Sequence, residues 1–339
     1  MEQFEHPEPM LADSDEDSAV VVNEDLMSLA SLTSSVRAVV HENGRTYASL
    51  GKYILPNDEP LNRGRLDMQN HHLLVTFNGR MHFAPGADTA RRVLDVGTGT
   101  GIWAIDYADA HPSAEVVGAD LSPIQPFFVP PNCSFEIDDL GKEWTWSRPF
   151  DYIFSRMMVG SFADFSHLAT QAYQHLTPGG YLELIDGILP MASDDNTLRD
   201  GIALKKFSDL LIEASKNLGR PLDAANYHRE TLLRAGFTGV TVHSYKWPTN
   251  RWPKDPKDKL VGLWTLANIG KSLEGLSMAL FTRGLGWSKE KVAEFIKEVK
   301  RDFQDTKIHA YWPITVVYGQ KPMSAASTTS GNATVPAAT

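Results

Sequence analysis

Scarcity marks these 339 residues. There is one cysteine, Cys133, so no intrachain disulfide can form and no cysteine-based zinc site can be assembled. A reducing compartment fits. No apolar run approaches the ~20 residues of a membrane span, and Met1 to Met10 are acidic and proline-bearing instead of basic then apolar, so no secretory leader is expected. Lys and Arg number 32 against 42 Asp and Glu, a net charge of −10. General nucleic-acid binding and attachment to an anionic membrane both rely on clustered basic residues and are therefore not expected. There is no Gly-x-Ser-x-Gly elbow and no His-Glu-x-x-His helix. Gly270-Lys-Ser272 ends like a P-loop, but the earlier glycine position is Thr265. No metal is expected.

What is present begins at Val93-Leu-Asp-Val-Gly-Thr-Gly-Thr-Gly101. Val93, Leu94 and Val96 form a short apolar run that suits a strand buried on both faces. Gly97, Gly99 and Gly101 then suit a sharp turn wrapped around a small molecule, with a helix from Ile102 to His111 ended by Pro112. A dinucleotide fingerprint requires a sixth-position glycine, and Ile102 stands there, so a pyrophosphate cradle is disfavoured. A second strand, Glu115 to Gly118, leads to Asp120, where a carboxylate can accept from both hydroxyls of a ribose.

Apolar content of 42% permits a large core. Residues 1–25 carry Asp13-Ser-Asp-Glu-Asp17 and few large apolar groups, and read as a disordered acidic leader. Residues 26–90 read as an arm or lid: a short helix from Leu26 to Val40, then Asn43-Gly-Arg-Thr-Tyr47, Gly51-Lys-Tyr-Ile-Leu-Pro-Asn-Asp58, and a helix from Arg65 to Met81 whose apolar face is Leu66, Leu73, Leu74 and Phe77. Residues 91–246 form the core. Its further strands are Cys133 to Ile137, Phe150 to Phe154, Tyr181 to Ile185 and Val240 to Tyr245, and the four prolines of Leu121 to Pro131 forbid an ordinary crossover helix. Asp164 caps a helix with Phe165, Leu168, Ala169, Ala172 and Leu176 on one stripe. Longer helices are expected over Thr197 to Leu218 and Tyr227 to Ala235. Residues 247–309 are a helical cap insertion that includes Ser288 to Phe303, residues 310–322 the last core strand, and residues 323–339 a disordered tail. Trp247, Trp252, Trp264 and Trp287 concentrate in the cap, where packing is the commoner role and a flat hydrophobic substrate the other.

Asp95-x-Gly-x-Gly-x-Gly101 with Asp120 resembles the first two motifs of class I S-adenosylmethionine (SAM) methyltransferases. From about Glu42 to Pro322 the chain resembles the fungal LaeA-like, or UMTA-type, methyltransferases, on Asn43 to Tyr47, Gly51 to Asp58, Val93 to Asp106, Leu121-Ser-Pro-Ile-Gln-Pro126, Phe135-Glu-Ile-Asp-Asp-Leu140, Phe154-Ser-Arg-Met-Met158 and Trp252-Pro-Lys-Asp-Pro256. The resemblance implies an α/β fold with a Rossmann-like seven-stranded sheet, helices on both faces and SAM as cofactor. Asp95, Gly97, Thr98, Gly99 and Gly101 would then hold its amino-acid end, Asp120 with Leu121 the ribose, and Asp138 or Asp139 the adenine amine, with Leu140 against the ring. Arg156 and Met157 would border the methyl.

The expected reaction is O-, N- or C-methylation of a small hydrophobic metabolite in the cytoplasm. The family also contains nuclear regulators that work with velvet-type protein partners, although neither tail here carries a basic nuclear-localisation cluster, and some similar proteins have turned to non-methylating, pericyclic chemistry. A base would have to reach the acceptor's proton. His71, His72, His82, His228 and Tyr53 are the candidates, and the residues rank none above the others.

Overall fold

The computed structural model describes residues 39–48, 54, 56 and 61–323. The leader, the helix expected before residue 39, Tyr53 and the tail beyond Met323 lie outside the described residues. The first described element is a hairpin, β1 (Val39–Glu42) and β2 (Arg45–Ala48), paired Glu42 with Arg45. Asn43 and Gly44 turn it, both at positive φ, the conformation of the two-residue turn that Asn-Gly favours. The expected helix through Val40 is therefore corrected at its end, where the chain is a strand.

Helix α1 (Leu61–Thr76) begins four residues before the predicted start and stops five before the predicted end, because Asn78 and Gly79 both adopt positive φ. The sheet follows as β3 (Arg92–Val96), α2 (Ile102–Ala110), β4 (Glu115–Asp120), β5 (Cys133–Ile137), β6 (Phe150–Arg156), α3 (Phe165–His175) and β7 (Leu176–Gly187). Then come α4 (Ala203–Asn217), α5 (His228–Ala235), β8 (Thr238–Pro248), α6 (Pro256–Thr265), α7 (Lys271–Ala279), α8 (Lys289–Gln304) and β9 (Tyr311–Gln320).

Seven strands lie in the order β5-β4-β3-β6-β7-β9-β8, parallel except for β9, which runs antiparallel to both β7 and β8. Successive residues of β3 feed opposite layers: Val93 joins the core under α1, α2, α4 and α8, while Leu94 joins that under α3 and α5. The chain leaves β3 toward β4 on one side and returns at β6 on the other, so a crevice opens where the strand order reverses.

Asp164 accepts from the Ser166 N–H at 2.7 Å and starts α3, as its position predicts. Helix α4 is six residues shorter at its start than the expected Thr197 to Leu218, since Gly201 at φ 90° interrupts the run. Its Leu204 N–H is instead accepted by Asp302 of α8 at 3.0 Å. Strand β8 continues through Trp247 and Pro248, residues the sequence assigns to the cap. The cap holds one continuous helical run, α6 and α7 joined and followed by π-helical turns at Leu266–Gly270 and Leu280–Gly284, with Gly270-Lys-Ser272 inside it, and then the separate helix α8. Glu42 of the hairpin accepts from the Arg283 Nε of the cap at 2.9 Å, so the arm and the cap meet. No helix among the described residues is long and apolar enough to cross a membrane.

Candidate active site

A cavity of about 320 Å³ opens at the carboxyl ends of β3, β4 and β6, within the range of small-molecule sites. Asp95, Gly97, Thr98, Gly99, Asp120, Leu121, Asp138, Asp139, Leu140, Arg156 and Met157 all line it, and this brings together stretches up to 62 residues apart in sequence. Gly101 does not. It caps α2 at φ 80°, and a β-carbon there would meet the Phe135 ring at 2.3 Å, so its role is to let β5 pack against the helix start. Gly99 is different: at φ 59° a β-carbon would find only Leu66 Cδ1 at 3.5 Å, and the space above it is cavity.

Asp120 holds the glycine turn directly. One carboxylate oxygen accepts from the Gly99 N–H at 2.8 Å and the other from the Ser122 N–H at 2.9 Å. Asp95 is 3% exposed and accepts from Thr98 Oγ1 at 2.6 Å. Burial pushes its carboxyl up to about 6, against the Thr98 hydroxyl and the Arg156 charge, which favour the anion. Burial likewise raises Asp120. The Arg156 guanidinium donates to Asn70 Oδ1 at 2.8 Å, and burial draws it down to about 10. Asp139 accepts from the Gly141 N–H at 3.1 Å, and Asp138 from the Asp139 N–H at 2.7 Å.

Residues outside the sequence reading complete the wall. Arg65, Leu66, Gln69 and Asn70 of α1 face the cavity, with Arg65 Nη1 bonded to Gln69 Oε1 at 2.8 Å. Thr100 Oγ1 donates to Asp67 at 2.8 Å and ties the glycine turn to that helix. A polar i, i+4 pair beside Leu66 was the available signal. The opposite end is apolar, with Phe162, Leu189, Leu211, Leu222, Trp247 and Trp312. Trp247 is the one tryptophan of the expected cap cluster on the cavity; Trp287 packs on Phe281 and Phe295, and Trp252 Nε1 donates to the Ala310 carbonyl at 2.9 Å.

None of the four described histidine candidates lines the cavity. His72 is fully buried, stacked on Trp247 at 3.8 Å, and burial draws it down to about 3. His71 lies against Trp264. His228 is fully buried with Nε2 2.8 Å from Asp186, whose other oxygen accepts from the Met158 and Val159 N–H groups at 2.6 and 3.0 Å. That pair holds the turn after β6 from beneath. His82 sits elsewhere, near Asp88.

A buried carboxylate at Asp95 favours a cationic ligand. Asp120 retains acceptor capacity beside Gly97 and Gly99, and Asp138, whose N–H donates to the Asp120 carbonyl at 3.0 Å, stands with Asp139 at the neighbouring strand end; this set of acceptors fits a molecule with an ammonium, a ribose and an amine-bearing base. The fold and this site together define a class I methyltransferase. Residues 67–241, over half the chain, match the methyltransferase-domain family. Methyltransferase pytC of Aspergillus terreus is 40% identical over 298 residues, covering 87% of this chain and 92% of its own. Secondary metabolism regulator LAE1 of Cochliobolus heterostrophus is 36% identical over 290 residues, 83% and 94% of the two chains. Among solved structures, the Haemonchus contortus phosphoethanolamine N-methyltransferase 2 with bound S-adenosylhomocysteine aligns at TM-score 0.43 and 17% identity, covering 77% of this chain and 53% of that one. The chain belongs to the LaeA-like methyltransferases, and it is a SAM-dependent enzyme of that family.

Proposed function

We propose that the acceptor is a small hydrophobic metabolite, and that Asp95, Gly97, Thr98 and Gly99 hold the amino-acid end of SAM, Asp120 and Leu121 its ribose, and Asp138, Asp139 and Leu140 its adenine, with Arg156 and Met157 beside the methyl. The observation that carries the reading is the division of one cavity into an acidic end on the glycine turn and an apolar end of Phe162, Leu189, Leu211, Leu222, Trp247 and Trp312. An apolar wall favours a flat or aliphatic body and offers a peptide backbone little to bond. Bound SAM supplies a methyl already activated by a sulfonium. The chain's own work is orientation and exclusion of water, and orientation alone is worth about 7 to 11 kcal/mol. Trp247 and Trp312, which wall the acceptor end, exclude water from it.

The purified chain, incubated with methyl-tritiated SAM and an extract of the producing cells, tests this. Radioactivity in the organic-soluble fraction is expected and delivers the product for identification. Label confined to protein overturns the metabolite reading in favour of a regulatory methyltransferase, a regulator being what the name of LAE1 states; in that reading velvet-type proteins are the expected partners. Consumption of an extract component without label in any product overturns it in favour of pericyclic chemistry.

A further inference from the structure

At the opposite end of the strands from the cavity, beside the amino ends of β3 and β4, His82, Asp88 and His111 bring one ligating atom each within 4.8 Å of the others. We propose that these three residues form a site for a borderline divalent transition ion, zinc above all, that clips the α1–β3 connector to the end of α2.

The geometry is close to what such an ion needs. His82 Nε2 lies 3.4 Å and His111 Nε2 3.8 Å from the same oxygen, Asp88 Oδ1. Donors about 2.0 to 2.2 Å from a tetrahedral zinc stand roughly 3.4 Å apart. His111 has its tautomer set, because Nδ1 bonds the Tyr107 carbonyl at 2.9 Å and the Nε2 lone pair is left to face the cluster. The ring also stacks on Tyr107 at 4.1 Å. His82 sits in a connector fixed on both sides: the Met81 carbonyl accepts from Trp103 Nε1 at 2.9 Å, and the Phe83 and Ala84 N–H groups are held by Glu183. Both imidazoles are thus positioned by the fold. Asp88, on the short turn Ala87–Thr89, has a side chain 73% exposed and is the ligand free to adjust.

Two imidazoles and one carboxylate suit zinc, cobalt or nickel and disfavour magnesium and calcium, which prefer oxygen alone. The fourth position faces a solvent-open hollow lined by Arg91, Pro112 and Ser113, which leaves room for water. Helix α2 starts at the cofactor turn and ends at His111, about 13 Å away by helical rise, so the ion would have no part in methyl transfer. Its role would be structural, and its failure would leave the proposed acceptor untouched.

The test uses the untagged full chain, stripped with chelator, titrated with zinc by calorimetry and with cobalt by visible absorption. One equivalent of zinc and the intense visible bands of four-coordinate cobalt are expected. Asp88→Asn and His111→Gln should each weaken zinc binding more than tenfold and remove the cobalt bands, while both keep the parent's SAM affinity and Asp88→Asn, at an exposed side chain, also keeps the metal-free melting temperature. Substoichiometric uptake by the parent overturns the site, as does uptake unchanged in both variants. Weak binding of several ions, equal in parent and variants, would mean adventitious surface histidines only and would overturn it too.

Discussion

At the scale of single residues, the site turns on acids held out of water. Asp95 has its carboxyl raised to about 6 by burial, so in the free protein it is largely protonated at pH 5 and ionised at pH 7. A ligand ammonium is attracted by the ionised form alone, and affinity for SAM should therefore rise with pH through about 6. Between pH 5 and pH 7 the dissociation constant should fall about tenfold, a range in which an α-amino group stays protonated. Asp95→Asn should bind more weakly at pH 7 and show a much flatter profile by calorimetry; a parent with equal affinity at both values would remove Asp95 from the ammonium site. Gly99 makes the second case. Its missing side chain leaves cavity, not a packed neighbour, so Gly99→Arg should cost about 1 to 2 kcal/mol of stability through its left-handed backbone. The same change should abolish SAM binding. A folded Gly99→Arg variant with parental affinity would show that the glycine turn does not cradle the cofactor.

Elements divide into those whose ends are written locally and those whose ends are set from afar. Asp164 before Phe165 and Ser288 before Lys289 each accept from the first turn of the helix they start, and both boundaries were legible because a cap lies next to the residues it caps. The start of α4 was not. Phe207, Leu211 and Ala214 recur at helical spacing and are buried in the structure, but Gly201 and a carboxylate 98 residues away decide where the helix begins. Asp302→Ala leaves the Leu204 N–H without its acceptor and should lower the stability of the fold by about 1 kcal/mol, read as a shift in the urea midpoint with unchanged slope. No shift would mean that solvent replaces the carboxylate at no cost. Asn43-Gly44 is also a local signal: the pair favours a two-residue hairpin turn and closes Glu42 onto Arg45, within a stretch expected only as an arm. That Asp95, Asp120, Asp138 and Asp139 line one cavity was readable for the same reason as α3: in an open parallel sheet acids at strand ends stand each beside its own turn and face one crevice. The cavity's apolar end was not readable, since Phe162, Leu189, Leu211, Leu222 and Trp312 come from five separate stretches that only the closed fold unites.

Across the whole molecule, one buried carboxylate couples the connector before β3 to the middle of the sheet. Glu183 of β7 is fully buried and accepts from the Phe83 and Ala84 N–H groups at 2.9 and 2.7 Å and from the Tyr152 hydroxyl at 3.0 Å. Those donors favour the anion, yet burial outweighs them and pushes the carboxyl from its ordinary 4.5 up to about 7. The folded state therefore binds this proton more tightly than the unfolded chain does, and unfolding releases it between those two values. Stability from Glu183 is fully present below pH 4.5 and is lost as pH rises toward 7, by a few kcal/mol over the window (~1.4 kcal/mol for each pH unit), most of it between pH 5 and pH 8. Asp95, raised from 3.8 to about 6, acts in the same sense, whereas buried His72, drawn down from 6.5 to about 3, acts in the opposite one and loses its stabilising effect as pH falls below 6.5, so the share of Glu183 is read as a difference between parent and variant. Glu183→Gln keeps the shape and one acceptor oxygen but cannot ionise. Urea unfolding of parent and variant without cofactor at pH 5 and pH 8 should then show the parent losing about 2 to 3 kcal/mol more than the variant. Parallel losses in the two proteins would mean that Glu183 stays ionised throughout, held so by its three donors, and that the connector rests on a permanent buried anion.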